Sequence, residues 1–306
     1  MPTIVMPSAL TDNDLARRKD KITATDVPAI MGTSPWKTAG DVFLEKNTDV
    51  PPAKPTLAMM WGTLLEQPIL TFAEAQLREH LEDPELKFTK VGTRRAHANG
   101  VMSCTFDARF GREDAIEAKT NAILHWHEAE GWGDEPFTDQ VPDHYRDQVC
   151  AQFACTPEVK RVWVVVTIGR AIPTIYLLER EKLAPRICAV ENRVCDFWDN
   201  HIIPDVPPEE PPTLELVKRV RQTIDPGKIV ELPDDLLVQC KKVGKQLGEL
   251  EKQKKSIDAT IRTKLIGAEL GRSPAGHSAR INTVNKKQYT VAAGTYTTLN
   301  VKLINE

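Results

Sequence analysis

No two of the six cysteines (Cys104, Cys150, Cys155, Cys188, Cys195, Cys240) form a CxxC pair, which argues against a zinc ribbon. Their scatter through 306 residues suits a reducing cytoplasm, with each thiol acting as a small apolar side chain. No apolar run reaches the roughly eighteen residues of a membrane span. The first residues lack a basic stretch followed by an apolar core, so no signal peptide is expected. An excess of positive charge is missing too: 40 Lys and Arg against 43 Asp and Glu give a net charge of −3. That excludes a basic protein that coats nucleic acid without specificity. It leaves room for a local basic groove, because phosphate contacts depend on where the cations lie. There is no internal repeat, and the only low-complexity tract is a Pro-rich segment near residue 208. Otherwise the composition, 41% hydrophobic and 27% charged, is that of an ordinary globular chain.

What stands out is Val101–Thr120, VMSCTFDARFGREDAIEAKT. Two apolar segments, VMSCTF and AIEAKT, flank a turn containing Gly111. Asp107 ends the first, and Glu117 and Lys119 stand two apart in the second. Side chains two apart on a strand share a face, so a hairpin would gather Asp107, Glu117 and Lys119 on one surface. Two carboxylates there can hold Mg²⁺ through hard oxygen ligands. A neighbouring lysine can orient or deprotonate a water, or offset charge building on a phosphate.

Before that stretch, Asp12 or Asn13 is expected to cap a short helix carrying Leu15, Arg17 and Arg18. Thr25 or Asp26 reads as the N-cap of another, with Pro28 in its first turn and Gly32 at its end. Its free N–H groups suit a phosphate, although on this stretch alone an ordinary capped helix is the preferred reading. Asp41 begins a further helix. A longer one is predicted from Met59 or Gly62 to His80, with Leu65, Ile69 and Leu70 on its apolar face and Glu66 near that stripe. LKFTKVG, VMSCTF and DAIEAKT are expected to form a three-stranded meander. His125 and His127 lie in a loop without a third ligand nearby. Pro142 precedes a helix with Tyr145, Gln148 and Gln152 on one face, at a surface or reaching toward the metal site or a DNA backbone. VKRVWVVVTIG reads as a buried strand with IPTIYLLE as its partner, and Glu181 to Ile203 as an amphipathic helix. PDVPPEEPPT reads as a stiff linker over residues 204–213, separating a core at 1–203 from an extension at 214–306. The extension opens on a helix from Asp234 or Asp235 to about Leu270, with apolar residues spaced by three and four, interrupted by Lys254. One or two short strands follow.

With the elements placed, five segments carry a resemblance: ITATDVPAIMGTSPW, WGTLLE, SCTFDARF, IEAKT and HYRDQVCAQ. Over roughly its first two thirds the chain resembles the YqaJ-type viral recombinase family. These are relatives of phage lambda exonuclease within the PD-(D/E)xK nuclease superfamily, whose pattern D-x9-E-x-K matches Asp107, Glu117 and Lys119. The resemblance implies an α/β (α+β) fold: a central mixed sheet flanked by helices, a restriction-endonuclease-like core, here followed by a helical, coiled-coil-like and β-hairpin extension. It implies Asp107, Glu117 and the Ala118 carbonyl as metal ligands, Lys119 as the catalytic lysine, Glu66 completing the site and Gln148 supporting it. Arg18 aligns with an arginine gripping a terminal 5′-phosphate, Arg17 competes for that role, and Thr25 supplies a phosphate-contacting hydroxyl. Phe106 stands where the superfamily has Pro and Ala108 where Gly is common, but neither position supplies a ligand. No cysteine precedes Glu66 and no trio clusters after it, so the four-cysteine iron–sulfur cluster of some related nucleases is excluded.

The activity so implied is Mg²⁺-dependent 5′→3′ exonuclease action on double-stranded DNA ends, with two metals per site and Mn²⁺ able to substitute. It would leave 3′ overhangs for a single-strand annealing protein in phage-type recombination. A homotrimeric ring and a cytoplasmic, phage- or prophage-encoded enzyme in a bacterial host are also implied. The competing readings are an endonuclease or single-strand-specific nuclease of the same superfamily, and a non-catalytic DNA-end-binding scaffold.

Overall fold

The computed structural model describes residues 19–51, 55–91, 93–121, 131–169, 172–220 and 229–281. In chain order these comprise β1 (Ile22–Thr23), α1 (Val27–Ile30), α2 (Ala39–Asn47), α3 (Leu57–His80), β2 (Thr89–Lys90), β3 (Arg95–Ala96), β4 (Met102–Cys104), β5 (Ala108–Phe110) and β6 (Asp114–Asn121). There follow α4 (Asp143–Cys155), β7 (Arg161–Ile168), β8 (Thr174–Glu179), α5 (Arg180–Phe197) running into a π-turn (Trp198–Ile202), α6 (Leu214–Arg219), α7 (Asp234–Lys264), β9 (Leu270–Arg272) and β10 (Ser278–Arg280). They fall in two compact units, residues 1–223 and 224–306.

The first unit is an α/β structure around a mixed five-stranded sheet in the order β2-β5-β6-β7-β8. β6 and β7 run parallel in the register Glu117↔Val164, and the other neighbours are antiparallel. Parallel central strands are covered on both faces, which is why β7 reads as an unbroken run of valines. Alternation sends Val162, Val164 and Val166 into one core with Val149 and Phe153 of α4 and Val190 and Val194 of α5. Trp163 and Val165 face the opposite core, with Ile69, Leu70, Ala73 and Leu77 of α3. Burying an aliphatic or aromatic side chain of this kind is worth about 1.5–3 kcal/mol, so α3 and α4 are held firmly on opposite faces of β6.

Three expectations are corrected. VMSCTF is not an arm of the hairpin: Met102–Cys104 pairs with β1 and β3 in a separate three-stranded sheet. The chain passes between sheets at exposed Thr105 and buried Phe106, and the true partner of β6 is Ala108–Phe110. The strand expected over LKFTKVG is limited to Thr89–Lys90. The Pro-rich segment is not a free spacer between units. The N–H and hydroxyl of Thr213 donate to Asp41 at 2.8 and 3.0 Å, and the Ala39 N–H donates to Glu210 at 3.1 Å. Gly40 allows this approach, since a Cβ there would lie 2.4 Å from the Pro212 nitrogen. The first unit therefore includes α6, with Leu216 buried, beyond the boundary expected at Pro204.

Helix starts follow local chemistry. Thr38 and Asp41 form a capping box on α2, and the Thr56 side chain caps α3 by accepting from Met59 N–H. α1 is a single four-residue turn with no side-chain cap bond, too short to serve as a phosphate-binding helix start. In the second unit α7 ends at Lys264, short of the predicted Leu270, and Gly267 follows with φ +81°. The predicted helix around Arg17 and Arg18, the loop with His125 and His127, and most of the predicted C-terminal strands lie outside the described residues.

Candidate active site

The register Ala108↔Ile116 places Asp107, one residue before β5, across from Glu117. The Asp107 N–H donates to the Ile116 carbonyl at 3.2 Å, and its carboxylate accepts the Ala118 N–H at 2.7 Å. Glu117 and Lys119 share the face of β6 that looks at α4, as the strand period requires. α4 answers with two amides one helical turn apart: Gln148 Nε2 donates to one Glu117 oxygen and Gln152 Nε2 to the other, each at 2.6 Å. Lys119 Nζ donates to Glu117 at 2.7 Å and to Gln148 Oε1 at 3.0 Å. Its ammonium stands 5.2 Å from the Tyr145 ring centre, within cation–π range. Glu117 is 6% exposed, and this ring of donors makes its burial tolerable.

Burial and the neighbouring Glu117 carboxylate push the Asp107 carboxyl up to about 7. Burial would push the Lys119 ammonium down, but Glu117, through its charge and its hydrogen bond, turns the net shift upward. Lys119 is thus a fixed cation at neutral pH. Desolvation, then Lys119, lowers the His144 pKa.

Glu66 lies on α3 and lines the same cavity, of about 560 Å³, as Asp107, Glu117, Ala118, Lys119, Gln148 and Thr25. Lys90 of β2 pairs with it at 3.1 Å. Among the described residues, no three His, Cys, Asp or Glu side chains form a ready metal cage. An adjoining cavity of about 210 Å³ shares Thr25, Asp107, Glu117 and Gln148, and is otherwise lined by Thr23, Arg94, Ser103 and Thr105 among others. Ser103 Oγ is buried there without a hydrogen-bond partner. Thr25 is set by its neighbour: Thr23 Oγ1 lies 2.9 Å from Thr25 Oγ1 and donates to Asp26 at 2.8 Å. Asp26 in turn accepts Lys37 and Lys46 at 2.6 and 2.8 Å. Burial would raise the Asp26 pKa, but the two ammonium groups hold it far below the usual carboxylate range.

The structure thus brings together Glu66, Asp107, Glu117, Ala118, Lys119, Gln148 and Thr25, while Arg17 and Arg18 lie outside the described residues. Sequence reasoning set Gln152 beside Gln148 on one helix face, at a surface or reaching toward the metal site or a DNA backbone, but gave a specific role to Gln148 alone. Trp36, His144, Ser103, Arg94 and Thr105 were missed. All but Arg94 lie within the segments that carry the resemblance, which gave them no role, and Ser103 and Thr105 also alternate with Asp107.

A family model for the YqaJ-like viral recombinase domain matches residues 15–158. The uncharacterized protein YqaJ of Bacillus subtilis (strain 168) is 24% identical over 270 residues, spanning 85% of this chain and 80% of that protein. An alkaline exonuclease from Laribacter hongkongensis superposes with a TM-score of 0.46 at 20% identity, over 64% of this chain and 94% of that one. A phage-related exonuclease from Haemophilus somnus 129PT gives 0.42 at 13% identity, over 60% and 95%. The domain match embraces Thr25, Glu66, the β5–β6 hairpin and Gln148 and Gln152 of α4, so it is over residues 15–158, the part that carries the site, that the chain is similar to the YqaJ-like viral recombinase domain.

Proposed function

We propose that this chain is a Mg²⁺-dependent 5′→3′ exonuclease that digests one strand of linear double-stranded DNA from its ends. The observation that carries the reading is the convergence of Asp107, Glu117, Lys119 and Gln148 with Glu66 in one cavity. The donor set fits a hard divalent cation. Asp107, Glu117, the Ala118 carbonyl and Glu66 supply oxygen only, and burial, then the facing Glu117 carboxylate, raises the Asp107 pKa against the opposing pull of the Ala118 N–H and Lys119. Mg²⁺ is commonly held by one or two carboxylates plus substrate phosphate and water, without a complete protein cage. Asp107, Glu117, the Ala118 carbonyl and Glu66 would hold one or two such ions, which would supply Lewis-acid polarisation of a phosphate and acidification of water. Mn²⁺, with the same preference for oxygen, should substitute.

The chain's own residues do the rest. Gln148 and Gln152 hold Glu117 in one orientation, so little reorganisation is needed as charge develops. Lys119 stays an ammonium, places the attacking water and offsets charge on the phosphate. Lys90 positions Glu66 at the cavity wall. The adjoining cavity, with hydroxyls from Thr23, Thr25, Ser103 and Thr105 and the Arg94 guanidinium, supports capture of a terminal 5′-phosphate, together with Arg18 or Arg17. The product would be a 3′ overhang for a single-strand annealing protein, and a homotrimeric ring around DNA would make digestion processive.

The test uses linear duplex labelled at the 5′ or 3′ end of one strand, with and without a 5′-phosphate, in Mg²⁺, Mn²⁺ and EDTA. Closed circular duplex and Lys119→Ala are the controls. The expected result is release of mononucleotides from the 5′ end, slow without the phosphate and absent in EDTA or in the variant. Cutting of the circle would make the protein an endonuclease, and binding without cleavage in either metal would make it a scaffold.

A further inference from the structure

Helix α7 leaves an ordered apolar seam uncovered. None of the residues in Asp234–Lys264 is buried, and Leu236, Val243, Leu247, Leu250 and Ile257 are each 55–60% exposed. The spacing is a strict heptad over the whole helix. Leu236, Val243, Leu250 and Ile257 take one core position, and Cys240, Leu247, Lys254 and Ile261 the other. At 1.5 Å per residue the stripe from Leu236 to Ile261 is about 39 Å long, far more regular than scattered surface leucines.

We propose that a second copy of this chain covers the seam, the two α7 helices packing antiparallel as a coiled coil. Direction follows from Lys254. A parallel in-register pair would set Lys254 on Lys254 inside an apolar layer, where like charges are most costly. Antiparallel pairing about the helix midpoint places Leu247 of one copy on Leu250 of the other and Cys240 on Ile257. Leu236 then meets Ile261, and Lys254 meets Val243, from which its stem can carry the charge out to water. Each pairing occurs twice by two-fold symmetry, and every layer of the helix is filled. The flanks agree. On one side Gln246 faces Gln253. On the other Glu251 faces Gly244, which keeps the two Glu251 carboxylates apart. The acidic first turn, Asp234 and Asp235, lies beside the basic last turn, Arg262 and Lys264, of the other copy, and the helix dipoles oppose. Only in this direction is the seam its own complement.

Cys240, exposed and unpaired, makes the test direct. The full chain is oxidised with diamide, and disulfides are mapped by peptide mass spectrometry, in the wild type and in Ile257→Cys. The variant should yield a covalent dimer joined from residue 240 of one copy to residue 257 of the other, and the wild type should give no Cys240–Cys240 link. In sedimentation, Leu247→Asp with Leu250→Asp should halve the particle mass while leaving the circular dichroism of the first unit's folds in place. A Cys240–Cys240 link in the wild type would make the pairing parallel and overturn the proposal. So would an Ile257→Cys chain that forms no 240–257 link, or a particle mass unmoved by the double variant, the result expected if another protein or another part of this chain covers the seam.

Discussion

Asp107→Asn should remove a pH dependence from the stability of the metal-free protein. The carboxyl titrates near 7 in the fold against an ordinary 3.8, driven by burial and the facing Glu117. A raised folded pKa means that the native state holds the proton more tightly. Its contribution to stability is therefore fully present below pH 3.8 and is lost as pH rises toward 7. Between pH 5 and pH 8 about two units of that shift are traversed, at about 1.4 kcal/mol each, so the wild type should lose about 2–3 kcal/mol. Asn keeps the acceptor for the Ala118 N–H and carries no charge, so the variant should not suffer this loss. His144, whose pKa is lowered, contributes with the opposite sign in the same window. It is common to both proteins and cancels in their difference. The assay is urea unfolding in EDTA at pH 5 and pH 8 for both. The difference in ΔG between them should change by about 2–3 kcal/mol across the interval, with the variant the more stable at pH 8. An unchanged difference, or a variant that loses more stability than the wild type on going to pH 8, would refute the raised pKa and with it the idea that burial and the facing Glu117 outweigh Lys119 at Asp107. Restoring Mg²⁺ should stabilise the wild type at pH 8 and leave Asp107→Asn nearly unmoved.

Lys119→Met should lower the cleavage rate by roughly 10²–10³-fold, the size of effect seen on removing one preorganised charge-stabilising donor, while duplex-end binding measured by fluorescence anisotropy survives. Gln152→Leu leaves a Glu117 oxygen and the Thr105 carbonyl without the donor that holds them at 2.6 and 3.1 Å. It should cost about 1–3 kcal/mol in urea unfolding and reduce the rate as well, because Glu117 is no longer fixed from both sides. Gly40→Ala drives a methyl group into the Pro212 backbone. It should cost about 1–3 kcal/mol and make the 204–213 segment a site of early proteolysis, detectable by limited digestion.

Much of the site was legible because its spacing is local. Asp107, Glu117 and Lys119 follow from the period of a strand and a short turn, and Gln148 and Gln152 from one turn of a helix. The departures arise where the chain has a choice of partners. VMSCTF has the pattern of a strand whichever sheet it joins, and only the register of Ile22↔Met102 and Ala108↔Ile116 decides that the chain changes sheets before Asp107. PDVPPEEPPT has the composition of a linker, and its docking on α2 depends on a bare Gly40 and on Asp41 some 170 residues away in sequence.

The sequence by itself determined which residues can do chemistry and which faces they share: acids and a lysine at strand spacing, two glutamines at helix spacing, a heptad along α7. These are properties of neighbours in the chain, set by covalent geometry and by the repeats of 2 and 3.6 residues. Tertiary structure alone decided that both glutamines close on Glu117, that Glu66 is carried into the same cavity by α3, and that Asp107 holds its proton near neutrality. Those outcomes depend on which surfaces bury one another and on how far the resulting interior excludes water, and both are settled between residues distant in sequence.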